Sequence, residues 1–261
     1  MPDPHIGPPA DPDAAGALPR LTVATAMMGH GPVPVLPPPV AGVMQDLHVQ
    51  GLPDRLPPAL AALAARPDVR ILPCAGRGAA RSRNAALATA RGEILLFADD
   101  DMVQDPAAQD QVRAAFAADP RLDILCGRLH GPDGRPHKAY GAAGRALRFW
   151  NAAKVGTPEI AVRLARVRAA GVAFDEGFGA GAQVPLGDEY VFLMDCRRAG
   201  LAGRHVALGL GVHPPHSSGL AFGPETLGWR RAVFRRALGW YWRPAFALFL
   251  FRNRHRLQRA S

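Results

Sequence analysis

Apolar positions along this chain fall in short blocks, and the spacing inside the blocks changes as the chain proceeds. RLTVATAMM (20–28) reads as a first strand and VMQDLHVQ (43–50) as a second. Between them, GHGPVPVLPPPVAG (29–42) holds too many prolines for regular structure. PPALAALAARP (57–67) predicts a short helix with proline near its start, and DVRILPC (68–74) a strand. GAARSRNAALATARG (78–92) predicts a helix, with Gly92 as the residue that stops it. EILLFA (93–98) is the next strand, and Asp105 is placed to cap a helix that opens on Pro106. RLDILCGRL (121–129) returns to strand character. Strands alternating with helices predict an α/β domain with a largely parallel sheet, and no internal repeat is visible.

Composition sharpens this picture in three ways. The 261 residues are 48% hydrophobic, enough to bury a substantial core. Cys74, Cys126 and Cys196 are odd in number and scattered, without disulfide or metal-ligand spacing, which predicts a reducing, cytoplasmic setting. The opening MPDPHIGPPADPDAAGALPR lacks the features of a secretory leader, and residues 1–19 read as a disordered tail. No apolar run is long enough to suggest a membrane span.

The net charge of +9 comes almost wholly from arginine, since Lys138 and Lys154 are the only lysines. Across the body of the chain this fits a GC-rich composition better than a nucleic-acid surface, and no nucleic-acid partner is expected. The end of the chain differs. From Trp229 to Ser261 there are nine arginines and no acid, interleaved with Trp240, Tyr241, Trp242, Phe246, Phe249 and Phe251. That mixture suits an anionic membrane surface, which would place the protein on the inner face of the membrane, or a helix packed on the catalytic domain.

The candidate chemistry starts at RGEILLFADDDMV (91–103), where an apolar strand runs into Asp99, Asp100 and Asp101. Adjacent carboxylates repel, but a divalent cation relieves that cost. Alternation along extended chain lets Asp99 and Asp101 face one way. In a parallel sheet ligands bind beyond the carboxyl ends of the strands, where these acids fall. Arg77, Arg81 and Arg83 crowd the start of the preceding helix, a place for phosphate. Much later, Asp188 and Glu189 follow a glycine-rich loop and open a helix that Gly200 closes. Adjacent at a helix start, these two carboxylates are expected to point apart.

Taken in order, GAARSRNAALATARGEILLFADDD, PEIAVR, FDEGFGAGAQVPLGDEYVFLMDCRRAGL and HPPHSSG resemble the family 2 glycosyltransferases, especially bacterial members that build polysaccharide. The resemblance covers about residues 70–225. It implies a GT-A fold, Rossmann-like, with a mostly parallel mixed sheet flanked by helices. Here that fold would occupy 20–226, with a basic aromatic helical tail at 227–261. It implies an inverting, metal-dependent transfer of sugar from a nucleotide-diphosphate donor to the hydroxyl of a saccharide or lipid-linked acceptor. Asp101 and Asp99, with His213, would hold Mg²⁺ or Mn²⁺. Arg77, Arg81, Arg83, Asn84, Asp99 and Asp100 would line the donor site, and Asp46 stands where the family places an acid for the nucleotide base. Phe178, Gly179 and Gly181 would lie in the acceptor loop. Glu189 would be the catalytic base, positioned with Asp188. Two alternatives remain open at this point. ILLFADDDMV also satisfies the first motif of haloacid dehalogenase-like phosphatases, with Asp99 as nucleophile, and a GT-A-like chain could bind nucleotide sugar without catalysis.

Overall fold

The computed structural model describes residues 18–214 and 224–254. Residues 1–17 of the tail expected at 1–19, most of the HPPHSSG segment and residues 255–261 lie outside the described residues, whereas the carbonyls of Leu18 and Pro19 accept hydrogen bonds from Arg113. The strands are β1 (Leu21–Met28), β2 (Val43–Gln50), β3 (Val69–Cys74), β4 (Ile94–Asp99), β5 (Val103–Gln104), β6 (Ile124–His130), β7 (Ile160–Arg163) and β8 (Gly203–Val212). The helices are α1 (Pro58–Ala64), α2 (Ala79–Thr89), α3 (Pro106–Ala118), α4 (Phe149–Ala152), α5 (Leu164–Ala169), α6 (Asp188–Arg198), α7 (Pro224–Leu238) and α8 (Trp242–Arg252).

The strands join one eight-stranded sheet in the order β3-β2-β1-β4-β7-β6-β8-β5. β3, β2, β1 and β4 run parallel, β7 is antiparallel to both its neighbours, and β6 runs parallel to β8. This is the GT-A architecture. The chain moves outward from β1 through β2 to β3 and then returns to the other side of β1 as β4. That reversal opens a crevice beyond the carboxyl ends of β1 and β4, the place where α/β sheets bind ligands. Asp99 is the last residue of β4.

β4 is buried on both faces, which explains its uninterrupted apolar run. Phe97 faces α2 and α6, and its ring meets Phe174 at 5.4 Å, edge-on. Phe174 stacks in turn on Phe192 of α6 at 4.1 Å. Such aromatic pairs add about 0.5–1.5 kcal/mol beyond their buried area. They fix the height of α6 over the end of β4. On the other face Leu96 and Ala98 pack with Val112 and Phe116 of α3. The Asp105 carboxylate accepts from the Ala107 N–H at 2.9 Å, as its sequence position predicts.

Gly92 departs from expectation. α2 ends at Thr89, and Gly92 instead passes against β1, where its N–H donates to Thr22 Oγ1 at 2.9 Å. A Cβ there would lie 2.6 Å from the Thr22 nitrogen, so the glycine permits a close approach of two chains rather than a helix stop.

The aromatic tail is two helices. Val233 and Ala237 of α7 are buried in the same core as α6, and Val233 packs over Gly187 at the start of α6. Arg236 pairs with Asp195 and Asp175, and Arg198 of α6 donates to the Ala237 carbonyl. α8 folds back on α7 through Phe234, Phe246 and Phe249. No helix among the described residues is long and apolar enough to cross a membrane.

Candidate active site

Three side chains converge at the end of β4. Asp101 Oδ1 lies 3.2 Å from His213 Nε2, and Asp99 Oδ2 lies 3.8 Å from the same nitrogen. One ligand atom from each of Asp99, Asp101 and His213 lies within 4.8 Å of the others. His213 Nδ1–H donates to the Pro214 carbonyl at 2.8 Å, which leaves Nε2 to face the carboxylates. Hydrogen bonding to Asp99 and the charge of Asp101 nevertheless raise the ring's pKa to about 9, although Asp101 is the nearer oxygen. So the site is short of positive charge and draws a proton onto its histidine. Two carboxylates and one imidazole nitrogen suit a hard divalent ion such as Mg²⁺ or Mn²⁺.

Asp100 behaves differently. It turns toward Gly31 in the loop after β1, and burial, Asp101 and Asp99 all raise its pKa. Asp99 and Asp101 therefore share one site and Asp100 faces away, but through a turn at Asp100–Asp101 after the end of β4 rather than through the extended chain expected from the sequence.

Beside this cluster lies a second group built on α2 and α6. Arg83 Nη1 donates to the Asp188 carboxylate, and Arg83 Nη2 lies 3.7 Å from Asp99 Oδ1. The Arg83 guanidinium also sits 5.8 Å from the Phe174 ring centre. Burial pushes Asp99 up, but the hydrogen bond from His213 and the charge of Arg83 outweigh it, so its carboxyl stays below the ordinary range. Asp188 is 3% exposed. Gly179, at φ +93°, makes room for it: a Cβ there would meet the Asp188 carboxyl carbon at 2.6 Å.

Glu189 sits half-buried at the first turn of α6. Burial, then the charge of Asp188, then a hydrogen bond between the two side chains hold its carboxyl well above the usual range, with Arg83 opposing. Asp188 turns inward to Arg83, and the hydrogen bond between the two acids means that they are not splayed apart. A carboxylate with raised proton affinity, next to an anion and beside a cation cluster, is equipped to take a proton from a bound hydroxyl.

Several residues expected at a donor site do other work. Asp46 is fully buried within β2, where Arg70 of β3 grips both its oxygens at 2.7 and 2.5 Å. Its level in the sheet is two residues below Asp99, since Ala24 pairs with Asp46 and Ala26 with Asp99. It is an internal ion pair, not a group free for a nucleotide base. Asn84 bonds the backbone of Phe174 in both directions, Nδ2 to the carbonyl at 3.0 Å and Oδ1 from the N–H at 2.7 Å, so it fastens the glycine-rich loop to α2. Arg81 pairs with Glu176 of that loop at 2.8 Å, and Arg77 is exposed. The start of α2 is partly satisfied by the protein itself. Gly78 N–H donates to Gln50 Oε1 at 3.0 Å and Ala79 N–H to the Ala180 carbonyl at 2.9 Å. Fewer free N–H groups remain for phosphate than the sequence suggests. Ala180 lies between Gly179 and Gly181, so the loop rests directly on α2, while Phe178 packs half-buried against the main core.

Sequence reading missed two features. Gln50 clamps Gly78 and Ser82 at the head of α2. His137 packs edge-on against His213 at 5.3 Å. The only signal for the first was a polar residue closing an otherwise buried strand.

Residues 50–168 match Glycosyl transferase family 2. The matched segment holds Arg83, Asn84 and the three aspartates, while Asp188, Glu189 and His213 join them only in the folded chain. The acidic run lies inside this match, which supports the glycosyltransferase reading over the phosphatase one. Among solved structures, S. aureus TarS 1–349 superposes with a TM-score of 0.61 at 15% identity, over 84% of this chain and 66% of that one. A longer S. aureus TarS chain gives 0.60 at 15% identity, over 84% of this chain and 40% of that one. S. aureus TarS 1–349 in complex with UDP-GlcNAc gives 0.60 at 14% identity, over 84% and 67%. At these identities the likeness is one of fold. No curated protein matches the sequence.

Proposed function

We propose that this chain, a family 2 glycosyltransferase on a GT-A fold, moves a sugar from a nucleoside-diphosphate sugar to an acceptor hydroxyl with inversion, in the synthesis of a polysaccharide or glycoconjugate. The observation that carries this reading is the pairing of two groups in one crevice: Asp99, Asp101 and His213 on one side, and Arg83, Asp188 and Glu189 on the other. A UDP-sugar is the donor class favoured by the UDP-GlcNAc complex of the similarly folded S. aureus protein.

Asp99, Asp101 and His213 would hold Mg²⁺ or Mn²⁺, which neutralises charge developing on the departing diphosphate. Arg83 holds Asp188 and keeps Asp99 ionised. Asp188 and burial keep the proton affinity of Glu189 high. Glu189 takes the proton from the acceptor oxygen as that oxygen attacks the anomeric carbon from the side opposite the nucleotide. One base and one displacement give inversion. The test is incubation of the protein with Mn²⁺ and a panel of nucleotide sugars. Release of nucleoside diphosphate supports transfer. Stoichiometric binding without release would leave a sugar-nucleotide binding protein.

Asp101→Asn is expected to remove most of the Mn²⁺-dependent affinity for UDP while leaving the fold intact, because Asp101 is exposed and its partner is the His213 ring of the same cluster, to which asparagine can still present an oxygen. Calorimetry of UDP with and without Mn²⁺ checks this, and unchanged metal-dependent binding refutes it.

The tail supports a membrane role in this reading. Trp240 is 97% exposed, and Tyr241, Leu248 and Phe251 are exposed beside it, near Arg243, Arg252 and Arg254. Basic residues near an anionic surface contribute roughly 1 kcal/mol each. A variant carrying Trp240→Ser, Tyr241→Ser and Phe251→Ser leaves the buried α7 contacts in place. It is expected to lose most co-sedimentation with phosphatidylglycerol vesicles, and equal co-sedimentation refutes the surface.

A further inference from the structure

The only two lysines of the chain lie in one cavity, outside the metal cluster and the carboxylate pair. A space of about 390 Å³ opens between the segment after β6, α4, the turn before β7 and the end of α8. Lys138, Arg145, Lys154 and Arg252 line it, with Tyr140 and Trp150. Its one acid, Glu159, is buried and fully engaged. Lys138 Nζ lies 2.7 Å from Glu159 Oε2, Tyr140 Oη donates to Oε1 at 2.5 Å, and the Gly156 N–H donates to Oε2 at 2.8 Å. Four cations against one carboxylate leave three positive charges. Arg145, Lys154 and Arg252 have no acidic partner among the described residues. The His205 Nε2 in the same wall is buried without a hydrogen-bond partner. Unpaired cations gathered around a cavity need a reason, since like charges repel and a folded chain gains nothing from collecting them.

Two links tie this cavity to the reaction centre. His137, next to Lys138, packs on His213. Tyr190, next to Glu189, donates its hydroxyl to the Phe149 carbonyl at 3.0 Å, and Phe149 adjoins Trp150. The cavity wall is thus tied through sequence neighbours of its lining to His213 and to the residue after Glu189. Trp150 is 60% exposed, a flat apolar surface of the kind that packs against the C–H face of a sugar ring.

We propose that this cavity is the acceptor subsite and that the acceptor is an anionic saccharide, bearing phosphodiester or carboxylate groups, read by Arg145, Lys154 and Arg252 with Trp150 against the sugar. The inference rests on the transferase reading and adds the chemical class of the acceptor. Charge-assisted hydrogen bonds to phosphate or carboxylate are the strong ones, and guanidinium presents two donors to either.

The test uses the full chain and three oligomers of equal length in calorimetry: a poly(glycerol phosphate), an oligogalacturonate and neutral maltohexaose. The cavity variant carries Arg145→Gln and Lys154→Gln. A charge-matched control carries Arg91→Gln and Arg121→Gln, both exposed and outside the cavity lining. Either charged oligomer is expected to bind wild type and control alike and the cavity variant about tenfold or more weakly, with Mn²⁺-dependent UDP binding equal in all three. Which charged oligomer binds better identifies the group that is read. Absence of binding by both charged oligomers, equal binding of maltohexaose, or equal losses in cavity variant and control would overturn the proposal. Failure of UDP binding in every sample would instead count against the transferase reading, independently of the oligomer result.

Discussion

Glu189→Gln is expected to cut turnover by about 10² to 10⁴-fold, the usual contribution of a general base, while UDP binding in the presence of Mn²⁺ stays near that of the wild type. Glutamine keeps the size of the side chain and most of its hydrogen bonding but cannot accept the proton. The same substitution is expected to stabilise the fold at neutral pH. The folded-state carboxyl of Glu189 binds its proton more tightly than in the unfolded chain, because of burial and Asp188. A group of this kind contributes its stability below the unfolded pKa, near 4.3, and that contribution is lost as pH rises through the higher folded value. Glutamine has no charge to acquire, so the gain in Tm of the variant over wild type should be absent near pH 4 and grow as pH rises. Each kcal/mol relieved is worth about 2–4 °C in a chain of this size. The turnover of the wild type should also rise with pH, with its acid limb above the ordinary carboxylate range, because only the ionised form accepts the proton. Asp188→Asn should reduce turnover less. Turnover near wild type in Glu189→Gln, with collapse in Asp188→Asn, would move the base to Asp188.

Why such a strained carboxylate persists follows from its neighbours. A stability optimum would place glutamine or an apolar residue there. Retaining an acid where burial and a second acid oppose its ionisation is the pattern expected of a group kept for chemistry.

Local patterns carried most of the fold. The apolar run of β4 ending in aspartate, the Asp105-Pro106 helix start and the alternation of strands with helices each depend on neighbours in sequence, and each formed as expected. Pairings that depend on register or on a long return of the chain were not legible. Asp46 and Arg70 are direct cross-strand partners, but only the register of β2 against β3 shows it. The antiparallel return of β7 beside β4 has no local signature. One signal was available and unused. Arg81 and Arg83 stand two apart on a helix, and residues at that spacing face away from each other. They therefore had to serve different partners, and they do: Arg81 holds the glycine-rich loop while Arg83 enters the site.

Arg83→Met is expected to be the most damaging single change to the fold that the site allows. Arg83 and Asp188 are both nearly inaccessible, with side chains 11% and 4% exposed. Losing one partner of a buried pair costs about 3–5 kcal/mol, because it strands the other charge. At 2–4 °C per kcal/mol the fall in Tm is roughly 6–20 °C. Adding Asp188→Asn removes the stranded charge and should restore much of the Tm at pH 7, giving a coupling energy well above the few tenths of a kcal/mol expected for independent sites. It should not restore turnover, because Glu189 then lacks both neighbours that set its position. A double variant no more stable than Arg83→Met alone would show that Arg83 contributes through packing on Phe174 rather than through Asp188.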